Sequence, residues 1–318
     1  MKIIVHYPFE AAEIDELRTL VATYGDHEVT HVETEDEAVA EAADAEVILG
    51  HFQPAVCAAA PKLKWVQSFS AGMDKFLFPA IIANDVEVSN AAGLHAPQGA
   101  EHAWAMVLAL SHQLFDSLDN QRQRRWGGGP SPVELTGMTL GLIGLGGFGM
   151  EMLKRAAGYD MTVIAVDAQR RDRPDGVAEL KPSTKETVRE LLQRSDIVMV
   201  ACPRTKETYH LIGRDELALM KKTAYLINVT RGGIIDEPAL AAALVSGEIA
   251  AAGLDVTEVE PLAADSPLWE APNLIMTPHR AGASQKRPRK IFERFRDNLE
   301  RYLNGERPHY IIDKAKGY

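Results

Sequence analysis

The stretch TLGLIGLGGFG, residues 139–149, decides the fold of the central part of the chain. Its first five residues have the apolar character of a buried strand, and glycines at 144, 146 and 149 complete the pattern GxGxxG. A helical pattern begins directly afterwards, near Met150. A strand, a glycine-rich turn and a helix in direct succession are typical of the first βα unit of a doubly wound parallel sheet.

The residues around this turn predict a dinucleotide-binding site. The next apolar strand, MTVIAVD, ends in Asp167, which lies 18 residues after Gly149, close to the spacing of about 20 that is usual for a ribose-binding carboxylate. Gly144 permits the tight turn, Gly146 lets the backbone approach a pyrophosphate, and Gly149 lets helix and strand pack closely. The helix N-terminus offers N–H groups to the anion.

Asp167 also favours NAD over NADP as the cofactor. Its carboxylate can accept hydrogen bonds from the ribose hydroxyls and would repel a 2′-phosphate. Arg170, Arg171 and Arg173 follow in the next loop and could cradle such a phosphate, although a solvated basic loop explains the same cluster. We therefore predict NAD and keep NADP as the alternative.

Further strands and helices are predicted on both sides of this unit. Strands are expected before it at residues 2–6, 46–50, 64–69 and 86–89, and after it at 161–167, 197–201, 224–229, 250–254 and 273–276. One long helix is predicted from Pro97 to Arg125, and the glycine-rich and proline-rich loop at 127–132 is the clearest break in composition.

These elements predict an α/β protein with two doubly wound parallel-sheet domains. The amphipathic helical pattern after Pro278 has no strands of its own, so we expect it to pack on the first domain. A Rossmann-type cofactor domain, residues 99–282, is then inserted in a flavodoxin-like substrate domain made of residues 1–98 and 283–318.

Charge and cysteine content exclude several classes of protein. The 318 residues carry a net charge of -11, which disfavours binding to nucleic acid or to anionic membranes. Cys57 and Cys202 lie far apart, so neither a metal site nor a disulfide framework is indicated. The N-terminus does not look like a signal peptide, and no run approaches the roughly 18 apolar residues of a membrane span. We expect a cytoplasmic protein without metal, membrane or nucleic-acid partners.

Three polar residues follow predicted strands and are candidates for catalysis. Arg231 follows the strand LINVT, Glu260 lies on the loop after AAGLDV, and His279 follows NLIMTP. Ligands of doubly wound sheets bind outside the carboxyl ends of the strands. A dehydrogenase that uses a nicotinamide cofactor needs a base for the proton of its substrate, and a cation if the substrate is an anion. From spacing alone, Arg231 could equally form an ion pair at a helix cap, and His279 could be a hydrogen-bonded loop histidine.

Three linked segments carry a resemblance to a known family: NVTRGGIIDEPAL (228–240), AAGLDVTEVEPLAADSPLW (251–269) and NLIMTPHRAG (273–282). Together they resemble the D-isomer-specific 2-hydroxyacid dehydrogenases, and the similarity extends over residues 45 to 305. The resemblance implies that Arg231 binds the carboxylate and 2-oxo group of a small 2-oxo or 2-hydroxy acid. It implies that His279 is the acid/base, and that Glu260 hydrogen-bonds His279 and favours its protonated form. Among such enzymes, a glyoxylate or hydroxypyruvate reductase is the expected type.

The resemblance also implies further contacts with cofactor and substrate. By it, Asp255 contacts the nicotinamide carboxamide, and the remaining cofactor contacts lie over the pyrophosphate (Gly147, Phe148) or line the cofactor cleft (Pro203, Val229). The segment SFSAGMD (68–74) resembles the substrate loop, where the N–H groups of Ala71 and Gly72, next to Ser70, bind a carboxylate. A plain turn made by serine and glycine is the alternative for this segment.

Several residues depart from the family's usual pattern or invite a different role. Gly147 stands where the family often has arginine, and Arg280 follows His279 where an apolar residue is common. His95 falls near the expected pocket, while Glu101 and His102, at the start of the long helix, are interpreted as structural.

Other functions and partners remain open at this point. A cofactor-sensing, corepressor-like scaffold shares the fold, and a phosphite dehydrogenase shares the Arg, Glu and His set. Glu260 argues against a formate dehydrogenase, which has glutamine there. We expect a homodimer, with the long helix from Pro97 as its surface.

Overall fold

The computed structural model describes residues 1–73, 76–127 and 129–317. By its internal contacts the chain divides into two compact units, one made of Met1–Leu94 with Ser284–Tyr318 and the other of His95–Ala283. The boundaries predicted from sequence lie nearby, at 98/99 and 282/283. No helix of the described ranges is both long and apolar enough to cross a bilayer.

The first unit is built on a parallel sheet with the strand order β2-β1-β3-β4-β5, which is the flavodoxin-like order. Its central strands are buried on both faces, as a sheet covered by helices requires. The strands are β1 (Lys2–His6), β2 (Glu28–His31), β3 (Ala45–Gly50), β4 (Trp65–Gln67) and β5 (Glu87–Ser89).

Helices cover both faces of this first sheet. They are α1 (Ala11–Ala22), α2 (Glu35–Glu41), α3 (Pro54–Ala58), α4 (Pro79–Ala83) and, from the C-terminal tail, α11 (Arg287–Leu303), with a 3₁₀ turn at Ala42–Asp44. Ile291, Phe292, Phe295 and Leu299 of α11 are completely buried in one core with residues of β1. Their spacing of three to four residues places them on one helical face, which explains why the tail packs on this unit.

The second unit contains a larger sheet with the order β12-β11-β10-β9-β6-β7-β8, and all its printed pairings are parallel. The prediction of two doubly wound parallel-sheet domains is therefore confirmed. The strands are β6 (Thr139–Ile143), β7 (Thr162–Asp167), β8 (Glu179–Pro182), β9 (Ile197–Val200), β10 (Tyr225–Asn228), β11 (Ala251–Leu254) and β12 (Leu274–Met276).

The helices of the second unit are α5 (Ala96–Ser111), α6 (Leu114–Arg122), α7 (Gly147–Ala156), α8 (Lys185–Arg194), α9 (Arg214–Leu217) and α10 (Glu237–Ser246), with 3₁₀ turns at Ala157–Tyr159 and Pro267–Glu270. Separate apolar cores lie on the two faces of the sheet. One is closed by α5 and α7, which pack against each other, and the other by α8 and α10.

The long helix predicted from Pro97 to Arg125 is wrong as a single element. The structure breaks it into α5 and α6 at Gln113, whose φ of 51° is left-handed. The break is held by later residues: the backbone N–H of Val133 donates to Ser111 O at 2.8 Å, and the Gln113 side chain donates to Ser131 O. Gly128, within the predicted loop 127–132, lies outside the described residues.

Candidate active site

The glycine turn after β6 has the close contacts that a dinucleotide loop needs. A Cβ on Gly149 would lie 2.1 Å from Gly144 O, and one on Gly144, where φ is 103°, would lie 2.8 Å from the Ala201 carbonyl. Among the described residues, a Cβ on Gly146 would meet nothing within 4 Å, and no side chain caps the N-terminus of α7. The N–H groups of this helix start can therefore receive a phosphate, and the turn fits the predicted dinucleotide.

Asp167 ends β7 beside this turn and accepts three backbone hydrogen bonds. Leu145 N donates to one oxygen at 2.7 Å, and the N–H groups of Gln169 and Arg170 donate to the other. Burial alone would raise the pKa of this carboxyl, but these donors outweigh burial and hold it below its ordinary value. An ionised acceptor therefore stands where a ribose-binding group is expected.

The arginines that follow Asp167 are hydrogen-bonded to nearby main-chain carbonyls. Arg170 donates to Leu145 O and pairs with Asp172 at 2.8 Å. Arg171 donates to Ala168 O at 3.0 Å, and Arg173 donates to Val177 O at 2.6 Å. This arrangement supports the interpretation of the cluster as a locally bonded basic loop.

The remaining predicted cofactor residues differ in how much of each side chain is accessible. Phe148 turns its ring toward α5, where a Cβ on Gly99 would lie 2.2 Å from it. Val229 is buried in the apolar core, whereas Pro203 is exposed. The carboxylate of Asp255 is completely buried and holds the loop after β12, as described below. Their contacts with a cofactor stay predictions, and for the buried Val229 the backbone is the part left to make them.

Arg231, Glu260 and His279 follow three neighbouring strands, β10, β11 and β12, at their carboxyl ends. Nδ1 of His279 lies 2.8 Å from Glu260 Oε2. A carboxylate can only accept, so Nδ1 carries the proton and Nε2 is the ring nitrogen left for a substrate. The other Glu260 oxygen accepts from Thr257 N at 3.2 Å, which fixes the carboxylate.

Asn228, which sequence reasoning missed, shapes the loop that carries Arg231. Its buried side chain donates to Arg231 O at 2.7 Å and accepts from Thr230 N at 3.0 Å. The guanidinium of Arg231 donates to Thr230 O at 2.9 Å. The signal available in the sequence was an amide residue placed at the end of a buried strand, where its side chain can bond the turn that follows.

The loops of Arg231 and Glu260 touch at Gly232. A Cβ on Gly232 would lie 2.0 Å from the carbonyl of Thr257 and 2.4 Å from Glu258 N. The carboxylate of Glu237 accepts a hydrogen bond from the same Glu258 N–H at 2.5 Å. Only glycine allows this approach, so the pair of glycines after Arg231 was a signal that the sequence did carry.

We expect Gly232→Ala to lower kcat/KM for the chain's substrate by at least about tenfold, because the added methyl must push the Arg231 and Glu260 loops apart. Overpacking of this kind typically costs about 1–3 kcal/mol of unfolding free energy. Steady-state kinetics and urea unfolding measure the two effects. Gly158→Ala is the control, since a Cβ there meets nothing within 4 Å in the part of the chain that the structure describes. Unchanged kinetics in Gly232→Ala would show that the contact between the loops does not matter.

Glu258 ties the Glu260 loop to the loop after β9. Its carboxylate accepts from Tyr209 Oη at 2.8 Å and lies 3.0 Å from His210 Nε2. Hydrogen bonds from His210 and then Tyr209 hold the pKa of Glu258 below its ordinary value. An ionised anchor two residues from Glu260 thus restrains the loop that orients the histidine.

Neither cysteine is suited to redox chemistry in the folded chain. Burial raises the pKa of both Cys57 and Cys202 to about 12, which keeps the thiols protonated. In the described ranges, no group of three or more His, Cys, Asp or Glu residues is placed to hold a metal ion.

In the predicted carboxylate loop, after β4 of the first unit, the carbonyl groups of Ala71 and Gly72 accept hydrogen bonds from side chains of the same unit. Ser70 Oγ donates to Gly72 O at 2.8 Å, and the Asn90 side chain donates to Ala71 O at 2.9 Å. Within the described residues, the N–H groups of Ala71 and Gly72 have no acceptor. They remain available for an anion. Asp74, the last residue of the quoted segment, lies outside the described residues.

Comparison with known proteins places this arrangement in a family. A family model described as D-isomer specific 2-hydroxyacid dehydrogenase, NAD binding domain, matches residues 104–281. The chain belongs to the D-isomer specific 2-hydroxyacid dehydrogenase family. A glyoxylate reductase of Thermofilum pendens is 36% identical over 262 residues, which cover 80% of this chain and 76% of that protein.

Solved structures of the same family extend the similarity over the whole chain. A family member from Aeromonas salmonicida subsp. salmonicida A449 is 29% identical with a TM-score of 0.82, covering 98% of this chain and 99% of that one. Another, from Xanthobacter autotrophicus Py2 in complex with NADPH and MES, is 28% identical with a TM-score of 0.83, covering 100% and 99%. This dehydrogenase is therefore an oxidoreductase with an NAD(P)-binding domain.

Proposed function

We propose that the protein transfers a hydride between NADH and C2 of a small 2-oxo acid, with glyoxylate and hydroxypyruvate as its best substrates. The observation that carries this proposal is the 2.8 Å contact between His279 and Glu260, on the loop next to the one that carries Arg231. An imidazole oriented by a carboxylate and a neighbouring guanidinium are the groups that reduction of a 2-oxo acid requires.

Each residue has a distinct part in the proposed reaction. The bound nicotinamide supplies the hydride, and the chain supplies charge and proton. Arg231 binds the carboxylate and polarises the 2-oxo group, so negative charge can develop on the oxygen. His279 donates the Nε2 proton to that oxygen, and Glu260 stabilises the charged imidazole before transfer. The N–H groups of Ala71 and Gly72 are proposed to bind the substrate carboxylate.

The proposed preference for small substrates is supported by relatives of the chain. Besides the Thermofilum protein, a glyoxylate reductase of Korarchaeum cryptofilum is 34% identical over 264 residues. A D-3-phosphoglycerate dehydrogenase of Methanocaldococcus jannaschii is 33% identical, but this chain spans only 48% of its length. Glyoxylate and hydroxypyruvate are therefore the first substrates to test.

NAD is proposed as the cofactor because of Asp167. Its ionised carboxylate would repel a 2′-phosphate, while the arginines of the next loop are engaged with main-chain carbonyls. The NADPH bound to the Xanthobacter relative keeps NADP as the alternative.

We expect Asp167→Ala to narrow the preference for NADH over NADPH, because it removes the negative charge that opposes the 2′-phosphate. The measurement is kcat/KM for each cofactor at saturating glyoxylate. Asp175→Ala, an exposed aspartate farther along the same loop, is the control. A preference that is unchanged in Asp167→Ala would assign the choice of cofactor to the arginine loop.

The function itself is tested by oxidation of NADH and NADPH with glyoxylate, hydroxypyruvate, pyruvate, a branched 2-oxo acid and 3-phosphohydroxypyruvate, and by reduction of NAD with phosphite. Turnover of glyoxylate or hydroxypyruvate that requires His279 supports the proposal. Tight NADH binding without any turnover would favour the cofactor-sensing scaffold, and turnover with phosphite alone would favour a phosphite dehydrogenase.

We also propose that the protein is a cytoplasmic homodimer. Support for a dimer comes from α6, where Leu114, Phe115 and Leu118 are 44–50% exposed. Large apolar side chains exposed together are typical of contact surfaces between proteins.

A further inference from the structure

The loop 277–282, which carries His279, is bonded near both ends to one face of α5. Gln98 donates from its side chain to Gly282 O at 3.2 Å, and His102 Nε2 lies 2.8 Å from Thr277 Oγ1. Residues 98 and 102 are four apart, so they lie one above the other on the same helical face. The helix therefore spans the loop from its first residue to its last.

The hydrogen bonds around Thr277 determine which nitrogen of His102 carries a proton. Thr277 Oγ1 lies 2.5 Å from Asp255 Oδ1, and a carboxylate can only accept, so the hydroxyl proton points to Asp255. Thr277 must then accept from His102, and His102 Nε2 is the donor. The three side chains form a directed series from α5 through the loop to the buried carboxylate.

Asp255 passes this restraint to the backbone of the histidine loop. Its carboxylate, which is 0% exposed, accepts from Arg280 N at 2.8 Å and Ala281 N at 2.7 Å. Its backbone carbonyl accepts from His279 N at 2.7 Å. His279 has a left-handed φ of 51°, a conformation that non-glycine residues hold only with support from their surroundings. Asp255 supplies that support on both sides of the histidine.

The position of α5 is set by its packing on the sheet. Met106 lies one turn after His102 on the same helical face, and a Cβ on Gly253 of β11 would lie 3.0 Å from Met106 Sδ. The missing side chain lets the helix come close to the strand that leads into Asp255. This packing fixes the distance of His102 from the loop 277–282.

We propose that His102 and Thr277 are positioning residues for His279, which act by holding Asp255 and the loop after β12 in the conformation that directs the His279 ring to Glu260. The inference rests on the proposed function, because it assumes that His279 is the proton donor. It assigns a functional role to His102, which the sequence suggested only as a structural residue.

Two pairs of variants test this inference. His102→Gln keeps an N–H donor at the place of Nε2 and His102→Leu removes it; Thr277→Ser keeps the hydroxyl and Thr277→Val removes it. We expect kcat for glyoxylate to fall about 10- to 100-fold in the Leu and Val variants, since small misplacements of a catalytic group have effects of this size. In the Gln and Ser variants, kcat for glyoxylate should stay within a few-fold of the wild-type value.

Binding of NADH and the unfolding midpoint are measured beside kcat to separate positioning from loss of structure. Both should be unchanged in the Gln and Ser variants, and the dissociation constant of NADH should rise by no more than a few-fold in the Leu and Val variants, because Asp255 is also a predicted contact of the nicotinamide carboxamide. His112→Leu, which replaces an exposed histidine that follows α5, is the matched control. Equal losses in His102→Gln and His102→Leu, or no loss in either, would overturn the inference.

A double variant tests whether His102 acts through His279. In the His279→Ala background, His102→Leu should cost no further activity, because residues that act as one unit are not additive. A further tenfold loss there would contradict the inference.

Nitrogen-15 NMR of the histidine rings gives a readout that does not depend on turnover. The His279 ring signals should change in His102→Leu and not in His102→Gln, and unchanged signals in both would overturn the positioning role. If wild type turns over no 2-oxo acid, the proposed function fails, and these signals still decide whether His102 holds His279.

Discussion

Replacing His279 with alanine is expected to lower kcat for 2-oxo acid reduction by about 10²-fold or more, because the variant lacks the proposed donor of the proton to the developing alkoxide. NADH binding should stay near normal, since the glycine turn and Asp167 are untouched. Steady-state kinetics give kcat, and titration of NADH fluorescence gives the dissociation constant.

His112→Ala, in the same unit but at an exposed position, is the control for loss of a histidine as such. The kcat of Glu260→Gln should lie between those of the control and His279→Ala. The amide oxygen can still accept a hydrogen bond from Nδ1, but the neutral side chain no longer stabilises the charged ring. Turnover retained in His279→Ala would remove this residue from the mechanism.

Arg231→Met is expected to lower kcat/KM for glyoxylate by about 10²- to 10³-fold, through both kcat and KM, because the guanidinium is proposed to bind the carboxylate and to polarise the 2-oxo group. Removing one partner of a hydrogen-bonded charge pair costs about 2–5 kcal/mol, which corresponds to losses of about 30- to 4,000-fold and so brackets the expected effect. Initial rates over a range of glyoxylate concentrations, at saturating NADH, measure the effect.

Arg231→Lys should recover only part of this loss, because lysine keeps the charge without the planar fork that pairs with a carboxylate. Arg214→Met, an exposed arginine at the start of α9, serves as the control. An unchanged KM for glyoxylate in Arg231→Met would mean that another cation binds the substrate.

The accuracy of the strand predictions depended on burial. Central strands such as TLGLI and KIIVH are almost entirely buried, so their apolar runs stood out and their bounds were predicted to within a residue. The strands EVTH (Glu28–His31) and ELKP (Glu179–Pro182) were missed. Both lie at the edge of a sheet, where half-exposed positions accept polar residues and the apolar pattern fades.

The end of α5 could not be predicted, because the cause of the break is distant. No glycine or proline marks Gln113, and its left-handed turn is held by a segment 18 to 22 residues later in the chain. In the candidate site too, residues with a local sequence signal could be predicted, and residues brought together by distant contacts could not. Arg231, Glu260 and His279 follow strands that the sequence reveals, whereas His102 and Thr277 are 175 residues apart and share no local pattern.

The hydrogen bonds from α5 to the loop 277–282 determine where a fragment of this dehydrogenase that contains the second unit should begin. The family match begins at residue 104, after both Gln98 and His102, whereas the compact unit begins at His95. A fragment cut at the limits of the family match would include His279, the proposed proton donor, and would lack Gln98 and His102, whose side chains bond its loop to α5. For grafting this unit into another protein, the boundary drawn by contacts is the one to use.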